Sequence, residues 1–367
     1  MARVKFGDVI REVKINIDRA TDDHEFFIAG EHMESENIHI TKRGRFKGSD
    51  VGPAFIRLFK PGQILYGSRR TYLKKVAVAD FEGITSNTTF VLESKDESKM
   101  LQGLIPYIML SDDFTEYSIK KSKGSTNPYI LFSDIAEYEF ELPNHSKQVE
   151  LLGLLTACDT AKESYKALIA ATDELVKSQF IEMTQGAETI PLSQACVSYS
   201  RGRTPKYVED SHIRVINQAC IYWDGIRTEN VKFENPSAFR EDYLLPVSCV
   251  LLNSTGTGTL GRAHVFDVKD QFTYMTDTHV TVLVPREEII IPVCLQYYFY
   301  DEHNQKELYR TCVNGSTTQA ELSKEALGRM RIPVVELSRQ MEFERFVRQS
   351  DKSKFVGVNR SNRNLSG

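Results

Sequence analysis

Long hydrophobic runs are missing from this chain of 367 residues. No stretch approaches the roughly 18 apolar residues that a helix needs to span a bilayer. The first residues, MARVKFGDVIREVKI, lack the apolar core and the cleavage site of a secretory signal. We therefore expect a soluble protein of the cytoplasm. The chain is long enough for two or three domains of about 150 residues each.

Motifs for catalysis and cofactor binding are also missing. The sequence has no GxxxxGK[ST] phosphate loop, no HExxH, and no Asn-Pro-Pro-aromatic or Asp-Pro-Pro-aromatic tetrapeptide of an amino-methylating enzyme. Gly256, Gly258 and Gly261 do form a GxGxxG. A dinucleotide-binding loop requires a helix directly after it, whereas residues 262–266 read as a strand. The sequence therefore predicts no catalytic residue and no cofactor.

The cysteines are few and scattered. They form no CxxC, and no two lie close enough in sequence to indicate a metal site. We therefore expect no bound metal, and we predict that the cysteines are reduced, buried residues that act as small apolar side chains. They are Cys158, Cys196, Cys220, Cys249, Cys294 and Cys312.

Positive charge is concentrated in one window, although the net charge of the chain is −4. Between Lys42 and Lys75 the only acidic residue is Asp50, among many lysines and arginines. A protein that binds nucleic acid needs a local basic patch rather than a basic whole. The window therefore predicts a one-sided basic surface in the first half of the chain.

Short strings recur in the same order along the two halves of the sequence. Each pair is separated by a nearly constant offset, between 186 and 192 residues. Such a drift of a few residues indicates one fold used twice with small changes in its loops. The pairs are 64–68 with 250–254, 88–92 with 279–283, 124–126 with 315–317, and 146–148 with 338–340.

A long helix is predicted between the halves, from Ser146 to Met183, where there is no proline and a single glycine. Two columns of residues repeat at intervals of seven and form the seam of a coiled coil. A second helix is predicted from Ser338, with Phe343, Phe346, Val347 and Ser350 on one side, and the polar tail from Gly357 predicts that it is much shorter. The seam residues predicted to bind a partner are Leu151, Leu154, Tyr165, Leu168 and Leu175.

Three polar loops carry the residue types that contact DNA. Arginine pairs with guanine edges or phosphate, and hydroxyls and exposed amides in glycine-rich turns approach the backbone of a duplex closely. The residues predicted to contact DNA are Lys42, Arg43, Arg45, Ser68, Arg69, Arg70, Tyr72, Lys74, Lys121, Lys123, Ser125, Thr126, Asn253, Ser254, Thr255, Thr257, Thr259, Arg262, Ser316 and Thr317.

Several strings resemble the target-recognition domains of type I restriction–modification specificity subunits. Residues 215–223, 250–262 and 278–282 look like the second recognition domain of that family. Residues 67–73, 76–79 and 86–90 look like the first. The resemblance covers nearly the whole chain.

The resemblance implies an α+β fold, in which two similar target-recognition domains are separated by long antiparallel coiled-coil helices, the second short here. It implies recognition domains at 1–144 and 186–336, a central helix at 145–185 and a C-terminal helix at 337–367. Each domain would read half of a bipartite target in double-stranded DNA, and the helices would set the spacer. The implied partners are methyltransferase subunits and restriction/translocase subunits. The chain itself would be the non-catalytic subunit of a restriction endonuclease and adenine methyltransferase complex, with no membrane association.

Two other hypotheses stay open at this point. The chain could be a self-contained or orphan DNA-modifying enzyme whose catalytic motif is unrecognised. It could also be a coiled-coil scaffold that never touches DNA. Turnover by the isolated chain would favour the first, and partner binding without DNA retention would favour the second.

Overall fold

A computed structural model describes residues 2–315 and 320–363, with side chains described up to Lys352. Ser316 and Thr317, predicted to contact DNA, lie outside these residues. The chain forms two compact units, residues 1–162 and 163–367, which are referred to as unit 1 and unit 2.

Unit 1 combines short strands with short helices and contributes the first part of a long helix. Two one-turn 3-10 helices, Thr71–Leu73 and Gln102–Leu104, connect some of these elements. In chain order the elements are β1 (Ala2–Lys5), α1 (Phe6–Val9), β2 (Ile10–Glu12), β3 (Phe26–Ile28), β4 (Gly44–Arg45), β5 (Phe55–Phe59), β6 (Ile64–Gly67), β7 (Val76–Val78), β8 (Gly83–Ser86), β9 (Thr89–Ser94), α2 (Ile105–Leu110), α3 (Asp112–Lys121), α4 (Phe132–Ala136), β10 (Glu139–Leu142) and α5 (His145–Thr184).

The strands of unit 1 form two four-stranded sheets and one pair. The larger core lies against the antiparallel sheet β2-β9-β6-β7, where aromatic residues such as Phe6, Tyr66 and Phe114 are buried together. The second sheet, β4-β3-β8-β5, contains a parallel pair, β3 with β8. Strands β1 and β10 pair antiparallel at the start of α5. Apolar residues on β6 and β9 are buried on both faces, which explains their nearly continuous hydrophobic sequence.

Unit 2 follows a similar order of elements and adds the short strand pairs β15–β16 and β22–β23. It also has two one-turn 3-10 helices, Thr228–Asn230 and Glu241–Tyr243. The elements are β11 (Glu188–Pro191), α6 (Leu192–Ala195), β12 (Cys196–Arg201), β13 (Tyr207–Val208), β14 (Ile213–Ile216), β15 (Ile221–Tyr222), β16 (Gly225–Ile226), β17 (Lys232–Glu234), β18 (Val250–Asn253), β19 (Ala263–Val265), β20 (Thr273–Thr276), β21 (Val280–Pro285), α7 (Pro292–Tyr300), α8 (Glu302–Cys312), β22 (Val313–Asn314), β23 (Glu321–Leu322), α9 (Lys324–Arg329), β24 (Arg331–Val334) and α10 (Leu337–Arg363).

The sheets of unit 2 confirm the duplication predicted from the recurring strings. The antiparallel sheet β12-β21-β18-β19 has the strand order of β2-β9-β6-β7 in unit 1. The sheet β13-β17-β14-β20 again contains one parallel pair, β14 with β20. Strands β11 and β24 pair antiparallel as β1 and β10 do. Because each unit has its own core, one sheet of the same strand order and a second sheet with one parallel pair, the fold is one α+β module used twice with changes at its edges.

Polar caps fix where the helices of both modules begin. Ser111 at the start of α3 accepts a hydrogen bond from the Phe114 amide at 3.3 Å, and Asp301 at the start of α8 accepts one from Asn304 at 2.9 Å. Such caps satisfy amides that have no partner within a helix. Pro292 occupies the first turn of α7, where a missing N–H costs nothing.

A buried glutamine attaches α5 to unit 1. The Nε2 of Gln148 donates to the carbonyls of Lys99 at 2.7 Å and Pro143 at 2.9 Å. Its Oε1 accepts from the Leu101 amide at 3.0 Å. The side chain is 1% exposed, so these three hydrogen bonds are shielded from water. They join the first turn of α5 to the segment that precedes α2.

Gln340 does the same at the start of α10 in unit 2. Its Nε2 donates to the carbonyls of Ile289 and Val335, both at 2.8 Å, and its Oε1 accepts from the Ile291 amide at 3.0 Å. The side chain is also buried. The recurrence of 146–148 as 338–340 in the sequence therefore marks one hydrogen-bonding device present in both modules.

The long helix predicted from Ser146 to Met183 is present as α5, but its packing differs from the predicted seam. Val176, Phe180 and Met183 are buried with Phe343 and Val347 of α10 in the core of unit 2. Strand β11 follows α5 and pairs antiparallel with β24, which precedes α10, so these parts of the two helices are brought together. The position of the partner helix, rather than the strongest heptad column, decides which side of α5 is buried.

The second helix is shorter than the first, as its polar tail predicts. Helix α10 has 27 residues, against 40 for α5, and it continues through the polar tail to Arg363. Adding a residue to an existing helix gains a hydrogen bond without a new nucleation step, so weak helix formers can extend it. The predicted buried side is confirmed at Phe343, Val347 and Ser350. Over the part of the chain that is described, no helix is long and apolar enough to cross a membrane.

The prediction that all cysteines are buried is wrong for Cys158, which is exposed on α5. The other five are buried. Cys158 lies on the part of α5 between its two packed ends, where most neighbouring side chains face solvent. Burial raises the pKa of the Cys196, Cys249 and Cys294 thiols to about 12, and that of Cys220 to about 11.

We predict that replacing Gln148 with leucine lowers the free energy of unfolding of unit 1 by about 2–4 kcal/mol. The change leaves one buried amide and two buried carbonyls without their partner, and each unsatisfied group costs roughly 1–3 kcal/mol. Urea unfolding of the full chain would measure the shift. Gln179→Leu, at an exposed position of the same helix, is the control, and we expect a change within about 0.5 kcal/mol. Equal midpoints for the two variants would contradict the role of Gln148.

We also predict that a thiol reagent at pH 8 modifies only Cys158 in the native chain. The reactive species is the thiolate, and a thiol whose pKa is raised far above 8 remains protonated and unreactive. Mass spectrometry would count one adduct on the native chain and six after denaturation, matching the six cysteines. Cys158→Ser should abolish native labelling. Labelling that persists in this variant would show that a second thiol is accessible.

Candidate DNA interface

The loop after β6 in unit 1 is held by its main chain and leaves its arginines exposed. The Ser68 hydroxyl donates to the Thr88 carbonyl at 2.5 Å, and the Ser68 carbonyl accepts from the Ile130 amide at 2.9 Å. The Arg70 amide donates to the Pro128 carbonyl at 2.7 Å. Ser68 is buried, whereas Arg69 and Arg70 are exposed. The loop therefore has a fixed backbone and free side chains.

A second predicted loop lies directly beside the first. Lys123 and Tyr129 exchange two main-chain hydrogen bonds at 2.8 and 2.9 Å, which close the turn between them. Tyr129 also bridges to Arg69, and the Thr71 hydroxyl lies 3.2 Å from that of Ser122. The structure thus brings together residues of two sequence-predicted loops. We call this the loop face of unit 1: Arg69, Arg70, Tyr72, Lys121, Lys123, Ser125, Thr126 and Tyr129.

The positive charge of this face is only partly neutralised. Lys123 pairs with Asp134 at 3.0 Å, and this hydrogen bond lowers the pKa of the carboxyl. The guanidinium carbon of Arg69 lies 5.8 Å from the centre of the Tyr129 ring. Among the side chains that the structure describes, no acidic one pairs with Arg69 or Arg70. Two adjacent arginines without a counter-charge can bind an anion or a base edge.

Lys74 follows this loop but is engaged within the protein. Its ammonium lies 2.9 Å from Asp112 and 3.0 Å from Glu36, and these hydrogen bonds raise its pKa. The side chain is about one fifth exposed. Contact with DNA would have to break both ion pairs, so the structure assigns Lys74 to holding the loop.

Lys42, Arg43 and Arg45 lie on a different element of unit 1, at strand β4. The Arg43 guanidinium is 4.1 Å from the centre of the Phe26 ring, a cation–π contact. Arg45 lies 3.8 Å from Glu25, and Lys42 lies 4.0 Å from an acidic side chain of the preceding loop. All three are exposed. They form a second basic area, at the sheet β4-β3-β8-β5.

In unit 2 the equivalent loop is neutral and rich in glycine. Thr255 contacts two residues from other segments: its hydroxyl lies 3.2 Å from Gln218 Oε1 and 2.8 Å from His279 Nδ1. Gly256 has a φ of +94°, and a Cβ there would lie 2.5 Å from the Gln218 side chain. This face therefore offers hydroxyl, amide and imidazole groups instead of a pair of arginines. We call Gln218, Thr255, Thr257 and His279 the loop face of unit 2.

Three predicted contact residues are corrected by their burial. Ser68, Asn253 and Ser254 have side chains that are at most 5% exposed. The Ser254 hydroxyl hydrogen-bonds to the Thr281 hydroxyl at 2.5 Å. The side-chain Nδ2 of Asn253 donates to the main-chain carbonyl of Gln218 at 3.0 Å. Short polar residues in a turn satisfy the main chain before they can reach a ligand. These side chains support the loops and do not face an incoming molecule.

Two further predicted residues of unit 2 are also used inside the loop. The Thr259 hydroxyl donates to the Thr255 carbonyl at 3.1 Å. Arg262 donates to the Gly258 carbonyl at 3.1 Å, and its guanidinium lies 5.1 Å from the centre of the Tyr222 ring. Both are half-buried. Of the predicted residues in this loop, Thr257 is the most exposed, and Thr255 lies at its edge.

The sequence did not predict a basic and aromatic surface at the sheet β13-β17-β14-β20 of unit 2. The centre of the Tyr243 ring lies 5.7 Å from the guanidinium of Arg203 and 5.5 Å from that of Arg240. Lys232 lies 4.8 Å from the centre of the Tyr207 ring. These residues come from three separate stretches of sequence, 203–207, 232 and 240–243, so no window of sequence shows them together. Their exposed cations resemble the Arg43 area of unit 1 in residue type.

The predicted partner-binding residues of α5 differ in their environment. Leu151 packs against the core of unit 1. Leu154, Leu168 and Leu175 are 58, 60 and 55% exposed, and Tyr165 is 39% exposed. These four residues lie on one side of the helix, because intervals of three, four and seven residues bring side chains to the same face. Over the described residues they remain without an apolar cover.

Known proteins are similar to this chain in sequence and in fold. The family model of the type I restriction modification DNA specificity domain matches residues 24–171 and again 208–356. The type I restriction enzyme EcoDI specificity subunit of Escherichia coli is 27% identical over 135 residues, which are 36% of this chain. That match spans 30% of the length of the relative.

Solved structures share the fold over nearly the whole chain. One comes from work on complex assembly and conformational transition of the type I R-M system: it has a TM-score of 0.53 at 16% identity, over 99% of this chain and 94% of that one. A second is the S subunit of a type I restriction–modification system from M. genitalium, with a TM-score of 0.54 at 15% identity, over 98% of this chain and 92% of that one. At this identity the likeness concerns the fold alone.

Proposed function

The chain belongs to the family of type I restriction–modification DNA specificity proteins, and on that premise we propose that it selects the DNA target of such a complex. Each module reads one half of a bipartite site in double-stranded DNA. The chain itself performs no chemistry. It works with methyltransferase subunits, and restriction/translocase subunits join them to form the nuclease. We expect it to act in the cytoplasm.

The observation that carries this proposal is that equivalent loops of the two modules expose different side chains. Ser68 and Ser254 are buried at the same point of the two modules, directly after β6 and β18. The loop that follows presents arginines in unit 1 and threonines in unit 2. Two modules with one fold and different exposed groups suit a protein that reads two different short sequences.

Basic areas beside the loop faces support binding to a duplex. Phosphate contacts position a protein on DNA without reading its sequence, and base-edge contacts supply the specificity. The exposed cations near Arg43 in unit 1 and near Arg203 in unit 2 suit the first role. The loop faces, which carry polar side chains on backbones held by hydrogen bonds, suit the second.

Helix α5 suits the role of a spacer. Its 40 residues form one continuous helix, about 60 Å long at a rise of about 1.5 Å per residue. We propose that residues 145–185 and 337–367 set the unread gap between the half-sites. The exposed Leu154, Tyr165, Leu168 and Leu175 side chains would then be the surface on which a methyltransferase subunit docks.

The alternative of a self-contained DNA-modifying enzyme receives no support from the glycine-rich motif. Gly256, Gly258 and Gly261 lie in the loop between β18 and β19, and all three have positive φ. A strand follows them, so there is no helix N-terminus to hold a cofactor phosphate.

We predict that the chain with its methyltransferase binds one bipartite sequence, and that the chain alone shows no turnover. Purified chain incubated with duplex DNA and either methyl donor or magnesium should give neither methylated nor cleaved product. The assembled complex should methylate a defined site. Its log Kd should rise steeply with log salt concentration, because each phosphate contact releases counterions. Turnover by the isolated chain would instead support the enzyme alternative, and a complex that does not retain DNA would support a scaffold.

We further predict that Leu154→Asp combined with Leu168→Asp weakens methyltransferase association at least about tenfold. Burying an unpaired carboxylate in an apolar interface is unfavourable by several kcal/mol. Ala170→Asp is the matched control, because Ala170 is exposed on the opposite side of the same helix. Co-purification and calorimetry would compare the variants, with thermal melting to show that both are folded. Equal losses in the two would argue against this face as the docking surface.

A further inference from the structure

The loop faces of the two modules can be aligned by their main-chain hydrogen bonds alone. In unit 1 the Gly67 amide donates to the Lys75 carbonyl at 3.0 Å, and in unit 2 the Asn253 amide donates to the Arg262 carbonyl at 2.8 Å. The Arg70 carbonyl accepts from the Leu73 amide at 2.8 Å, and the Gly256 carbonyl accepts from the Thr259 amide at 3.2 Å, in each case from the third residue along the chain. Arg70 therefore occupies the position of Gly256.

Arg70 has a left-handed backbone in this alignment. Its φ is +52° and its ψ is +57°, and Gly256 has a φ of +94°. Lys74, with φ +46°, corresponds in the same way to Gly261, with φ +86°. The turn thus requires positive φ at both positions, which glycine adopts without cost and residues with a Cβ avoid. Unit 2 has glycine at both positions, whereas unit 1 has Arg70 and Lys74, which carry a Cβ.

The two exceptions in unit 1 have different explanations. Lys74 forms ion pairs with Glu36 and Asp112, and these contacts offset the free-energy cost of its left-handed backbone. Arg70 is exposed, and among the described residues its guanidinium has no such partner. A strained backbone conformation that no stabilising contact offsets is typical of residues at functional sites.

On the basis of the proposed function, we infer that Arg70 is the residue through which unit 1 recognises a guanine in its half-site. Arginine donates two hydrogen bonds in a fixed fork, which matches the O6 and N7 acceptors of guanine in the major groove. The Arg70 amide is anchored to Pro128, so the fork extends from a fixed point. Unit 2 has no side chain at this position, and its half-site is then read by other groups, those of Gln218, Thr255 and His279.

The surroundings favour a base edge over a phosphate for Arg70. Lys121 and Lys123 supply cations on the neighbouring loop, and Arg69 lies against the Tyr129 ring. Phosphate contacts are common to every sequence and call for no difference between two related modules. Arg70 is instead at a point where the modules share the main chain and differ in the side chain, which is where a difference in recognition can reside.

The test uses the full chain assembled with its methyltransferase and a duplex that carries the site found by methylation mapping. Arg70→Gly gives unit 1 the residue of unit 2 and removes the strain. We expect its melting temperature to be equal to or above that of the wild type. Its affinity for the site should fall by about 5- to 100-fold, the range of one bidentate base contact.

Base replacement identifies the contact. Replacing one guanine of the first half-site with 7-deazaguanine, which lacks the N7 acceptor, should weaken the wild-type complex at least about fivefold. The same replacement should leave the Arg70→Gly complex unchanged. Arg70→Lys keeps the charge without the fork, so it should resemble Arg70→Gly in losing discrimination at that base. Ser248→Gly, at another positive-φ position with φ +61°, is the control for strain relief and should bind as the wild type does.

Two results would overturn the inference. The first is an Arg70→Lys complex with wild-type affinity and discrimination, which would make Arg70 a phosphate contact. The second is an Arg70→Gly complex that keeps its preference at every guanine. If the wild-type complex itself shows no sequence preference, the proposed function fails and not this inference alone.

Discussion

A buried glutamine at the first turn of each long helix is the constraint from which the rest of the architecture follows. Gln148 and Gln340 each join three main-chain groups that would otherwise lie unsatisfied in a dry environment. Such a contact is directional, because both ends of the amide must match their partners. It therefore fixes the direction in which α5 leaves unit 1 and α10 leaves the β24 strand. Hydrophobic packing alone would allow either helix to rotate or slide.

In both modules some loop residues are buried and hydrogen-bond to the backbone, while others are exposed to solvent. Buried hydroxyls and amides, such as Ser68 and Ser254, satisfy the loop backbone. The residues beside them, such as Arg70 in unit 1 and Thr257 in unit 2, are exposed and differ between the modules. A module built in this way can change what it binds without losing its core, which is how one fold can serve two recognition tasks in a single chain.

Much of the fold could be predicted from the sequence, because the signals are local or repeated. The unbroken stretch from Ser146 to Met183 predicted α5, and recurring strings predicted the duplicated module. The burial of Ser68 and Asn253 could not be predicted, since it depends on strands that are distant in sequence. The same holds for the Arg203–Tyr243–Arg240 cluster, which a sheet and a loop bring together. The extension of α10 past Gly357 was missed because propensity is a weak guide where a helix is already formed.

The exposed leucines of α5 have a consequence for the life of the chain in the cell. A stripe containing Leu154, Leu168 and Leu175 resembles the surface that a partly folded protein presents. Chaperones and proteases act on such surfaces, so molecules made in excess of their partners would be removed faster than assembled ones. The quantity of this subunit would then follow the supply of the proteins that cover the stripe, and balanced stoichiometry would need no separate control.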